Sequence, residues 1–89
     1  MPVIWGHVQA VTLGAEATPR IVVSTCAPGP QETINAQVGR NTLIARGIHT
    51  VPLSDIKAGE LVELSYIKSG DRAEACMAYL RAHEWLMRA

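Results

Sequence analysis

Eighty-nine residues and 9.6 kDa make one small domain, 1–89, with no room for a second. Eight basic side chains offset eight acidic ones, which argues against a sequence-blind nucleic-acid binder and against a polybasic membrane-surface segment. At 48% hydrophobic the chain is too apolar to stay disordered, and no run reaches the ~20 apolar residues of a membrane-spanning helix.

Residues Val3 to Leu13 read as a first strand, with Ile4, Val8 and Ala10 on one face. Gly6 interrupts it and marks a bulge or a sharp bend. After a turn over Gly14 to Pro19, the β-branched run Arg20 to Cys26 reads as a second strand. Pro28 and Pro30 break it, since neither can donate to a ladder. Thr33 to Val38 alternates cleanly, Ile34, Ala36 and Val38 against Thr33, Asn35 and Gln37, so one face is buried and one is wet. Gly39-Arg40-Asn41 turns the chain, and Thr42 to Ala45 form a short strand or continue the previous one. Residues 53–57 suit a single helical turn capped by Ser54, with Gly59 supplying a positive φ at its end. Glu60 to Lys68 then reads as a strand with Val62, Leu64 and Tyr66 inward, and Ser69-Gly70 as a tight hairpin loop.

The last stretch supports two readings. Asp71 to Ala89 is rich in Ala, Glu, Leu, Met and Arg, all good helix formers, and Ala73, Cys76, Met77, Leu80 and Met87 share one helical face. At period two, Ala73, Ala75, Met77 and Tyr79 also form a stripe.

The opening Gly6-His7-Val8-Gln9-Ala10-Val11 strand, followed by the turn and strand Leu53-Ser54-Asp55-Ile56-Lys57-Ala58-Gly59-Glu60-Leu61-Val62-Glu63-Leu64, resembles small OB-like β-barrel domains of unknown function found in bacteria. The likeness covers roughly residues 6 to 80 and implies a closing strand over Arg72 to Arg81. The expected fold is therefore a five-stranded OB-like barrel, mainly all-β, with one helical turn and a short C-terminal helix or tail. The alternative is an α+β domain with a C-terminal helix over 71–88. The periplasmic copper-binding chaperone barrel is similar in strand order only. Its metal site needs a Trp close to a Met-x-Met pair, which Trp5, Trp85 and Met77 do not supply, so that site is not carried over.

Candidate chemistry is sparse. His7, His49 and His83 with Cys26 and Cys76 offer soft-metal donors, but no two have the spacing of a zinc knuckle or of a helical i, i+4 pair. Two cysteines allow one disulfide at most and suit two thiols equally well. Cys76 lies near His83 and Asp71 in sequence only, and Ser54-Asp55 has no base at useful spacing. The expectation is a non-enzymatic binding or interaction module that needs no cofactor and no metal. Oligonucleotide binding through Arg40 and Arg46 is the first alternative, and soft-metal binding through Cys26, Cys76 and a histidine the second. The balanced charge and the lack of Phe weigh against nucleic acid. The apolar triplet Trp85, Leu86, Met87 either packs back on the barrel or buries against another subunit, so a homodimer through this C-terminal tail is one expectation. The first basic residue is Arg20, so no cationic stretch precedes an apolar one, and a cytoplasmic protein is expected.

Overall fold

The computed structural model describes residues 3–14, 18–25 and 31–80. Seven strands are present among the described residues: β1 Val3–Thr12, β2 Arg20–Thr25, β3 Thr33–Gln37, β4 Leu43–Arg46, β5 His49–Thr50, β6 Leu61–Ser69 and β7 Arg72–Leu80. The only helical element among the described residues is a 3-10 turn, Leu53–Asp55. The strands run β3-β2-β1-β6-β7, and β3 also pairs with β7, so these five close into a barrel. Closure is made by the parallel register of Ala36 with Ala73 and Gln37 with Glu74. The β4–β5 hairpin extends the sheet from the other half of β7, with β4 parallel to it over Leu43 to Arg46. The short strand expected over Thr42 to Ala45 is thus the separate strand β4, shifted by one residue, and it resumes the course of β3 along β7.

The core is aliphatic: Ile21, Val23, Val62, Leu64 and Leu80 are fully buried, with Val8, Ile44 and Ile56 close behind. Val62, Leu64 and Tyr66 point inward as their alternation requires. The strand over the Ala-rich stretch is continuous as far as Leu80, so the helix over 71–88 is overturned for residues 72–80. The rest of that range, and any C-terminal helix or tail, lies outside the described residues. Its alanines have a tertiary use. Ala73, Ala75 and Ala78 pack in or against the core, where a closed five-stranded barrel has little radius to spare. The composition that favours a helix locally therefore serves closure instead.

Two bulges correct the expected faces. In β1 the register with β2 slips between Val8 and Ala10, leaving Gln9 as the extra residue. Ala10 consequently turns out to solvent, and Val11 packs against the core in its place. In β7 Ser65 pairs with Met77 but Tyr66 with Ala75, so Cys76 is the extra residue. The stripe of Ala73 and Ala75 then continues through Ala78 and Leu80, not through Met77 and Tyr79. Gly6 is not the bulge. It pairs with Thr25 on one side and Val62 on the other, and a Cβ there would overlap the Ser24 carbonyl and the Val23 side chain.

The turns differ slightly from expectation. The β6–β7 loop is Gly70-Asp71, flanked by the pair Ser69 and Arg72. It and the β4–β5 loop each place a glycine, Gly70 at φ +61 and Gly47 at φ +63, at the first central position. A two-residue hairpin of type II′ needs a positive φ there. The 3-10 turn is shorter than residues 53–57 and follows Pro52; Ser54 lies inside it and makes no capping bond. Gly59 has the expected positive φ of +95 and joins β1 to β6: its N–H donates to the Val8 carbonyl at 2.7 Å, and the Val8 N–H donates to the Glu60 carbonyl at 2.9 Å.

Candidate binding groove

Three adjoining clefts surround the β3–β4 connection. The first is polar and about 340 Å³, formed by Thr18, Arg20, Asn35, Gln37, Asp71, Arg72 and Ala73. The register explains the assembly. Arg20 on β2 stands opposite Gln37 on β3, and Gln37 stands opposite Glu74 on β7, so their outward side chains form one row across the closure. The second cleft, about 240 Å³, shares Thr18 and Gln37 with the first and continues past Arg40, Asn41 and Thr42. The third, about 510 Å³, lies beyond Arg40 and is apolar, lined by Leu13, Pro19, Val38, Pro52 and Leu53. Arg40 borders both of the last two clefts.

The connection carrying Arg40 is held from within. Thr42 Oγ1 donates to the Ala75 carbonyl at 2.6 Å and accepts the Gly39 N–H at 3.0 Å. This ties the loop to β7 beside the Cys76 bulge, and it fixes the turn on which Arg40 is displayed. No ion pair to another described residue holds Arg20, Arg40 or Arg72. Three guanidinium groups thus face the groove, tempered by Asp71 and Glu74.

Arg46 has a different setting. Its Nη1 donates to Asp55 Oδ2 at 2.5 Å, and its Nη2 reaches both Glu60 carboxylate oxygens at 2.8 and 2.9 Å and the Asp55 carbonyl at 3.0 Å. Glu60 also accepts the Lys57 N–H at 2.8 Å. Burial alone works against the charge of Arg46, but hydrogen bonds to Asp55 and Glu60, reinforced by their charges, outweigh it and raise its pKa above the ordinary value. The fork is filled by its own chain and clamps the 3-10 segment to the ends of β4 and β6. Arg40 and Arg46, singled out together in the sequence, line different clefts.

Sequence reasoning missed Arg20, Arg72, Asn35 and Gln37. Their only signal was the outward phase of β2 and β3, and Arg72 meets them only when the barrel closes. Trp85, Leu86 and Met87 lie outside the described residues, as do Cys26 and His83. Among the described residues no group of three or more His, Cys, Asp or Glu side chains is placed to hold a metal ion, and Cys76 carries a free, half-buried thiol. No helix among them is long and apolar enough to cross a membrane. Compared with known proteins, the chain matches no family model, no curated protein and no solved structure.

Proposed function

We propose that this domain is a non-enzymatic binding module whose ligand is an extended peptide segment lying in the groove over β2, β3 and the β3–β4 connection. The observation that carries this reading is the continuity of the three clefts: an amide- and arginine-lined channel runs directly into an apolar one. The side-chain amides of Asn35 and Gln37 can pair with peptide N–H and C=O groups. The apolar cleft accepts one large apolar side chain, and Arg20, Arg40 and Arg72 favour a carboxylate nearby. OB-type barrels bind extended polymers on the face of their second and third strands, and this groove occupies that face. The likeness is one of architecture and supports position only.

Oligonucleotide binding is the weaker reading. Among the described residues no aromatic side chain lines the groove to stack a base, and Asp71 and Glu74 stand where phosphates would pass. The test is an amide-shift titration of the isotope-labelled full chain. One arm uses a mixture of octapeptides that combine one leucine with one glutamate at varied spacing; the other uses single-stranded dT10 at low salt. Shifts at Arg20, Asn35, Gln37 and Arg40 with peptide are expected. Silence up to millimolar peptide, shifts confined to other strands, or saturation by dT10 would overturn the reading.

A further inference from the structure

Two rows on the outer face of β1, β6, β7 and β4 are mostly apolar where strand alternation calls for polar residues. The registers place Val3, Ser65, Met77 and Leu43 in one row and Trp5, Glu63, Tyr79 and Ala45 in the next. Val3, Trp5 and Leu43 are 49, 39 and 48% exposed. This surface shares no residue with the peptide groove. The Cys76 bulge creates part of it, because the slip in phase turns Met77 and Tyr79 away from the core.

Strand β7 leaves this same sheet at Leu80, which pairs with Val62 and Arg46. The chain continues for nine residues, 81–89, outside the described ones, and these include the consecutive apolar side chains Trp85, Leu86 and Met87. We propose that the outer face is the docking surface for this C-terminal segment of the same chain. The reach suffices. Trp85 lies five residues beyond Leu80, so an extended chain carries it up to ~17 Å. Trp5 and Val3 sit two strands from β7, roughly 10 Å away. The charges agree as well. Glu63 is the one charged side chain in the two rows, and the segment holds Arg81 and Arg88 against Glu84, two positive minus one negative with His83 neutral. Tethering favours the chain's own segment over a second copy, since a short linker holds it at an effective concentration on the order of millimolar.

The experiment is a nuclear Overhauser measurement on the isotope-labelled full chain, with a mixed sample of labelled and unlabelled chains to separate contacts within a molecule from contacts between molecules. Contacts from the Trp85 indole to the Leu43 and Met77 methyl groups within one molecule are the expected result. Trp85→Glu then shifts the Leu43 and Met77 amides and leaves those of Asn35 and Gln37 in place. Two results would overturn the proposal: no contact between Trp85 and this face, or contacts found only between labelled and unlabelled chains, which assigns the face to a second copy. A Trp85→Glu variant that moves neither amide overturns it independently.

Discussion

Gly6→Ala pits a local preference against a tertiary one. In a strand interior alanine is favoured over glycine by about 0.5–1 kcal/mol, so the sequence alone predicts a gain. In the barrel, the new Cβ would sit 2.7 Å from Val23 Cγ1 and 2.8 Å from the Ser24 carbonyl carbon, and would overlap the carbonyl oxygen itself. Val23 is fully buried, and Ser24 is held in the ladders to both β1 and β3, so neither neighbour can withdraw without breaking packing or pairing. Overpacking of this kind costs about 1–3 kcal/mol, and a backbone obstacle puts it at the upper end. The net expectation is a loss of about 1–2.5 kcal/mol. A small domain has a urea slope of roughly 1 kcal/mol per molar, so the unfolding midpoint should fall by about 1–2.5 M. Gly39→Ala is the control. Nothing lies within 4 Å of its Cβ position and its φ is not positive, so a gain of about 0.4–1 kcal/mol is expected from the stiffer unfolded chain. Both variants are read by urea unfolding followed by circular dichroism. A Gly6→Ala midpoint at or above that of the parent would refute the claim that close approach of β2, and not strand preference, keeps glycine at this position.

Arg46→Met leaves the half-buried Glu60 carboxylate without its guanidinium and should cost about 1–2 kcal/mol, a charged-hydrogen-bond loss discounted for the partial exposure of both side chains. Because the folded-state pKa of Arg46 is raised, its contribution is complete below the ordinary guanidinium value and drains only as pH climbs through the raised one. The difference between parent and Arg46→Met should therefore stay constant from neutral pH up to the ordinary guanidinium range, and a difference that collapses below that range would contradict the clamp. Leu80→Ala, at a fully buried position where β4, β6 and β7 meet, should cost about 2–5 kcal/mol and leave little folded protein in thermal unfolding. Arg40→Ala should weaken peptide binding roughly tenfold, about 1.4 kcal/mol, without moving the unfolding midpoint. An unchanged dissociation constant in calorimetry would remove Arg40 from the groove's function.

Strands β1, β2, β3 and β6 and most of their inward residues are legible in the sequence because period-two alternation is a local property. Ile34 and Ala36 in β3, and Val62, Leu64 and Tyr66 in β6, need no neighbour to be recognised. The turn glycines at Gly59 and Gly70 are legible for the same reason: a positive φ is set by the residue itself. Phase along a long strand is another matter. The inserted residues Gln9 and Cys76 are ordinary in type, and only pairing with β2 and β6 reveals that Ala10, Met77 and Tyr79 turn outward.

The final strand shows where local information ends. Residues 72–80 carry helix-forming side chains, and no pattern within them outweighs that preference. Pairing with β6 on one side and with β3 and β4 on the other makes them a strand, and the small alanines then suit the narrow interior. The groove has the same origin. Arg20 and Arg72 are 52 positions apart in the chain and meet only because β3 lies against β7. Arg46 reads in the sequence as a candidate oligonucleotide contact beside Arg40, and its two carboxylate partners are set by the fold of the 3-10 segment over the ends of β4 and β6. Sequence by itself determined which side chains are apolar and that β1, β2, β3 and β6 are extended. Tertiary structure decided which extended segments became neighbours, because pairing and closure satisfy hydrogen bonds and bury surface that no single segment can manage alone.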